Sequence, residues 1–238
     1  MFRVDQIVLA LLLGTLTTAL VLAQVESDVA AYVKALKSPD PDIRRQAALA
    51  LEKLGPQARA AVPTLQAALH DRDQFVRRFA ARALGAIGAD AAAAVPDLIR
   101  LLSAPQREEA EAAASALSKI GKPAVKALAQ ALEATSDPLM VRTLAKALGA
   151  IGPDAAPAVP ALIKRIREPP KFIGKAGDLA SRLEVTAALV EALGNIGPAA
   201  KEAVPVIKDL LADKFFAKSR DFRIIANIAL KKITAKSI

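Results

Sequence analysis

The sequence predicts an all-α protein, a right-handed α-solenoid of about six helix pairs. Three observations predict it. Glycines at Gly55, Gly88 and Gly121 lie 33 residues apart, Gly152 follows after 31 and Gly197 after 45, and Thr234 takes the same place 37 later. Counting back from Gly88, apolar residues fall 12, 8, 4 and 1 positions earlier (Val76, Ala80, Leu84, Ile87), one stripe of an amphipathic helix that the glycine ends. Beyond it a Val-Pro pair opens a second, more apolar helix at Val95-Pro96, and the pair returns at Val62-Pro63, Val159-Pro160 and Val204-Pro205.

The units follow in order. Val29 to Asp40 matches Val62 to Asp73 at its apolar positions and final Asp, so the array starts on a second helix. The stripe continues as Ile43, Ala47, Leu51, Leu54; as Met140, Leu144, Leu148, Ile151; as Val185, Leu189, Leu193, Ile196; and as Phe222, Ala226, Leu230, Ile233. A degenerate copy contributes Ala113, Leu117 and Ile120. Six first helices and six second helices result, spread over 24–238. Asp40 and Asp137 each precede a proline, the pattern of a side-chain N-cap with proline at the first helical position, and Asp73 caps likewise.

Composition agrees. With 53% hydrophobic and 24% charged residues the chain reads as folded protein, and with 3% aromatics and no Trp its interior has to be built from Ala, Leu, Ile and Val. No cysteine is present, which excludes disulfides, thiolate metal sites, a Cys nucleophile and a lipidated N-terminal cysteine. The formal charge of +9 is uneven: residues 212–238 carry seven basic against two acidic groups, whereas elsewhere both signs are interspersed. Charge gathered at one end differs from the basic groove a nucleic-acid binder needs, so nucleic acid is not the expected partner.

Residues 1–23 stand apart. No charge falls between Asp5 and Glu26, Ile7 to Ala23 is nearly all apolar, and Val21-Leu22-Ala23 offers small residues at minus three and minus one. This reads first as a secretory signal peptide cleaved before Gln24, with an N-terminal membrane anchor as the alternative. Either places the rest outside the cytoplasm, periplasmic or secreted in the first case and membrane-anchored in the second.

The repeated residues, taken together, resemble the HEAT repeat family, and most closely the HEAT-like repeats named after phycobilisome lyases. The resemblance rests on Asp40, Ile43-Arg44 and Gly55; on Asp73, Val76-Arg77, Ala83-Leu84-Gly85 and Ile87-Gly88; and on Asp137, Val141-Arg142, Ala147-Leu148-Gly149 and Ile151-Gly152. It implies that such Asp and Arg residues link neighbouring units. Glu109-Ala110 in the third unit and Thr186 in the fifth depart from the pattern, and a weaker inter-repeat contact is expected there.

Two stretches interrupt the period. About a dozen residues are inserted between Gly152 and Gly197, and Arg167 to Ser181, with Pro169-Pro170, Gly174 and Gly177, is read as a non-helical loop whose tip carries Phe172 and Ile173. Residues 212–238 are read as a basic C-terminal cap, with Ile224, Ile225 and Ile228 extending the stripe beyond one side of the helix, so that the tail either caps the array or leaves a patch for a partner or an anionic membrane surface.

Catalytic chemistry is not signalled. His70 is the only histidine, so a His-rich metal site, an HExxH zinc site and a His-bearing serine triad find no support, and no phosphate-binding glycine motif occurs. Glu108, Glu109 and Glu111 open a first helix, where acids favour the dipole. No cofactor and no metal are expected. The expected function is an exported, non-enzymatic binding scaffold for another protein or peptide. Arg100, Gln130 and Lys164 stand in one register place on three consecutive second helices, with Lys208 close to the same line, and these are the candidate binding residues, together with Phe172 and Ile173. The alternatives are a cytosolic HEAT-like bilin lyase or lyase subunit, implied by the family name alone, and a nucleic-acid-binding HEAT-like protein.

Overall fold

The computed structural model describes residues 23–169 and 176–235, with the side chains of 176–180 left aside. Residues 1–22, all but the last of the leader or anchor read over 1–23, and the loop tip Phe172 and Ile173 lie outside the described residues.

Helices alternate between two kinds along the chain. The longer set is α2 (Pro41–Leu54), α4 (Gln74–Ile87), α6 (Arg107–Ile120), α8 (Pro138–Ile151), α10 (Ala176–Ile196) and α13 (Arg220–Thr234). The shorter set is α1 (described over 23–35), α3 (Val62–Ala68), α5 (Val95–Leu101), α7 (Val125–Ala134), α9 (Val159–Arg167) and α11 (Val204–Ala212), with a four-residue turn α12 (Lys214–Ala217) before α13. These are the six first and six second helices of the repeat, stacked as an α-solenoid.

Local chemistry sets the boundaries. The Asp40, Asp73 and Asp137 carboxylates accept from the N–H groups of Asp42, Val76 and Leu139 at 2.8, 2.9 and 3.0 Å, satisfying donors that a helix start leaves open. At the other end Gly88 adopts φ 78° and ψ −139°, a backbone left essentially to glycine, and the other recurring glycines likewise have positive φ. What the period did not reveal is the linker. The seven residues from each glycine to the next valine form a 3-10 helix, as in Gly88–Ala94 and Gly152–Ala158, shortened in the third unit to Lys122–Ala124.

Packing is built on leucine and alanine. Leu51, Leu84, Leu117, Leu148 and Leu193, one on each long helix before α13, are fully buried, each side chain contributing roughly 1.5–3 kcal/mol of transfer free energy. Long helices meet through small residues: a Cβ on Gly85 would lie 2.8 Å from the Ala116 Cα, one on Gly149 2.9 Å from the Ala192 Cα, and one on Gly194 2.7 Å from the Ala229 Cα. Those crossings are therefore open to glycine alone.

Three expectations need correction. The insertion is not loop throughout, because α10 begins at Ala176 and runs through Gly177. One glycine among Ala176, Leu179 and Ala180 costs only about 0.5–1 kcal/mol, too little to halt a helix growing from its packed end. In the fourth unit Val141 is fully buried and Met140 only half-buried, so the first place of the α8 stripe falls one residue later than read, while Leu144 and Leu148 are buried as expected. Ile43 is 44% exposed although its register equivalent Val76 is 0% exposed, because no long helix precedes α2 among the described residues.

Candidate interaction surface

Arginine–carboxylate pairs tie the units together and thereby fix the surfaces. Arg44 reaches Asp71 (Nε to Oδ2 and Nη2 to Oδ1, both 2.7 Å), Arg45 reaches Asp73, Arg77 reaches Glu109 and Arg142 reaches Glu184, each across one unit boundary. The side-chain hydrogen bond from Arg45 holds Asp73 at about 2, against the opposing effect of burial. Burial alone would raise Asp71, but the Arg44 hydrogen bond and charge outweigh it and keep the carboxyl below the usual range. The implied Asp/Arg linkage is thus present, though each arginine reaches an acid of the next unit and not its own N-cap.

Glu109 departs from the reading made of it. The third unit's boundary with the second is not weak, because Glu109 is 2% exposed and accepts two hydrogen bonds from Arg77, at 2.7 and 2.8 Å. A carboxylate at a stripe position simply replaces the loop aspartate as acceptor. The boundary with the fourth unit lacks both devices: among the described residues no arginine–carboxylate pair spans α6 and α8, and Ser118 stands where Gly85 and Gly149 permit close approach. Glu111 is taken by Arg107 at 2.6 Å, so Glu108, Glu109 and Glu111 form no acid–base pair.

On the short helices the candidate residues are where the register puts them. Arg100, Gln130 and Lys164 each stand five residues after the valine that opens α5, α7 or α9, and all three are exposed. Lys208 is exposed too, but stands four residues after Val204, which turns it about 100° around the helix toward the line of Ile99 and Ile163. These four are held by a buried layer beneath: Leu98, Leu128, Leu162 and Ile207 are 0% exposed. Arg165 secures the neighbouring turn, donating to the Leu132 carbonyl at 2.6 Å and to the Thr135 carbonyl, an arginine satisfying the open end of α7.

One constellation escaped the sequence reading. Asp97, 7% exposed, accepts from Gln66 Nε2 at 2.6 Å, pairs with His70 Nε2 at 3.0 Å, and meets Arg100 Nη2 at 2.9 Å. Burial would raise its pKa, yet the Gln66 and His70 hydrogen bonds and the Arg100 charge hold it below the ordinary carboxylate value. A cleft of about 380 Å³ joins this node to the Arg77–Glu109 pair. Ser103 also lines the cleft, but no hydrogen bond connects it to His70 among the described residues, and the imidazole is 57% exposed, so the group is not assembled as a serine triad. Its signal was available: Asp97 stands where other units have Thr64, Ala127, Ala161 and Val206, an acid at an inward place.

Among the described residues no helix is long and apolar enough to cross a membrane, and no group of His, Cys, Asp and Glu is placed to hold a metal ion.

Comparison with solved structures returns repeat proteins. The chain is similar to an archaeal HEAT-like repeats protein from Thermococcus onnurineus NA1, at 15% identity and TM-score 0.52, with 88% of this chain and 92% of that one covered. It is similar to an engineered protein at 26% identity and TM-score 0.48, covering 87% and 96%. It is also similar to the complex of CpcE and CpcF of phycocyanin lyase from Nostoc sp. PCC7120, at 26% identity and TM-score 0.47, covering 87% and 88%. No curated protein sequence matches. The family model described as HEAT repeats matches residues 29–118 and 95–177. With the repeat register, the 3-10 linkers and the arginine ladder already in place, that match settles the family: the chain belongs to the HEAT repeats.

Proposed function

We propose that this protein is an exported, non-enzymatic scaffold that binds another protein or peptide along the outer surface of its short helices. The observation that carries the reading is the repeated exposure of Arg100, Gln130 and Lys164 at one register place on consecutive short helices, above a fully buried apolar layer. Rigid spacing of polar side chains lets a partner be met at several points without ordering the scaffold on binding. Two of the three are cationic, which favours an acidic partner surface.

Export rests on residues 1–23, with cleavage before Gln24 the first choice and an uncleaved anchor the second. The test has two parts. Intact mass of the native protein after separation of cytoplasmic, membrane and exported fractions is expected to give a product starting at Gln24 outside the cytoplasm. Photo-crosslinking from position 130, in wild type and in an Arg100→Glu/Lys164→Glu variant, is expected to trap one partner in the former alone. A full-length cytosolic product would overturn export and favour the alternatives, a HEAT-like bilin lyase or lyase subunit or a nucleic-acid-binding HEAT-like protein.

A further inference from the structure

We infer that copies of this protein associate end to end, the outer side of α13 on one copy docking against the open side of α2 on the next. The argument is one of register. In α2 to α10 the side of each long helix that faces the following unit holds the residues 11, 10, 7 and 6 places before its terminal glycine. There the residue at minus seven is covered: Ala48, Ala81, Ala145 and Val190 are fully buried and Ala114 is half-buried. On α13 the same places, counted from Thr234, are Arg223, Ile224, Asn227 and Ile228, and all four are exposed. Ile224 is 47% and Ile228 50% exposed, whereas a terminal repeat ordinarily presents a polar outer face.

The opposite end carries the matching half. The side of a long helix that faces the preceding unit holds the place 12 before the glycine, buried as Val76, Glu109, Val185 and Phe222 but 44% exposed as Ile43. Three of the five exposed large hydrophobic residues among the described residues thus lie on these two end faces. Charge agrees. Later units accept an arginine from the preceding unit at Asp73 and Glu184, and α2 carries acids at both register places, Asp40 and Asp42, with no preceding unit among the described residues to supply that arginine. Arg223 stands on α13 one place before that of Arg45 and Arg142, the arginines that reach those acids. The helix order fits as well, because the described array opens on the short helix α1 and closes on the long helix α13, so stacking continues the alternation.

The contact is heterologous, using different faces on the two copies, and so propagates into a ring or an open row. It uses the ends of the array and is independent of the short-helix surface proposed above. The test is sedimentation velocity on the chain expressed in full and purified in the processed form the cell leaves, from about 1 to about 200 µM. The mass is expected to climb with concentration past that of a dimer. Ile43→Glu and Ile228→Glu are each expected to weaken self-association at least about tenfold by burying a charge, with unfolding midpoints unchanged because both sites are exposed. An equal mixture of the two variants is expected to pair with wild-type affinity and stop at a dimer, since each keeps one intact face. A monomer throughout the range, association that survives both variants, loss with Ile228→Glu alone, or a mixture that does not pair would each overturn the inference.

Discussion

The Arg77 guanidinium and the Glu109 carboxylate form a two-point pair across the boundary between α4 and α6, Nη2 to Oε1 at 2.7 Å and Nε to Oε2 at 2.8 Å, with Glu109 2% exposed. A buried carboxylate keeps its charge only while its partner stays. Arg77→Met is therefore expected to cost about 3–5 kcal/mol by stranding Glu109, whereas Arg77→Met with Glu109→Leu is expected to recover most of it. Urea unfolding of the two variants checks this, and equal losses in both would show that the pair is not the source.

Glycines of two kinds are expected to respond differently to alanine. Gly85→Ala puts a Cβ 2.8 Å from the Ala116 Cα, and forcing α4 from α6 is expected to cost about 1–3 kcal/mol. Gly197→Ala meets nothing within 4 Å but must hold φ 76°, for an expected loss of about 1–3 kcal/mol. A serine at each place separates the mechanisms: Gly197→Ser should lose about as much as Gly197→Ala, since any L side chain meets the same backbone strain, whereas Gly85→Ser should lose more than Gly85→Ala, since added volume worsens the contact.

Acid should loosen the first unit boundary. Asp73 has its pKa lowered from 3.8 to about 2, chiefly by the Arg45 hydrogen bond. Because the folded value lies below the unfolded one, its contribution is fully present above about pH 4 and is lost as pH falls toward 2. Stability measured across that window is expected to fall more steeply for wild type than for Asp73→Asn. Parallel curves would remove Asp73 from the account.

The cap on α8 gives a fourth kind of test. Asp137 accepts from the Leu139 N–H at 3.0 Å, and Asp137→Ala is expected to cost about 1 kcal/mol, read from thermal or urea unfolding. Asp137→Asn should retain most of that.

Exposed candidates should bind without stabilising. The Arg100 side chain is 69% exposed although it meets Asp97 at 2.9 Å, and an exposed partner of this kind contributes about 0–1 kcal/mol. Arg100→Ala is expected to leave the unfolding midpoint within a few degrees of wild type while weakening partner capture. A large loss of stability would make Arg100 a structural residue of the Asp97 node.

The family, the helix alternation and the caps were legible in the sequence because each depends on local chemistry. Glycine at the end of α4, Asp73 at its start and the apolar stripe between them act within one helix, and repetition at 33 residues makes the signal plain. The exposure of Arg100, Gln130 and Lys164 followed from the same periodicity. Glu109, Asp97 and Ile43 were not legible, because what each one touches lies in another unit or is missing from it. A glutamate at a stripe position reads as a defect until Arg77 is seen beside it, and an isoleucine in the stripe reads as core until no described helix is found to cover it. Side-chain spacing along one helix is fixed by its 3.6-residue turn, so sequence alone decided which residues share a face. What that face meets depends on contacts between residues some 30 positions apart, as Arg77 and Glu109 are, and only the packing of one unit on the next decided that.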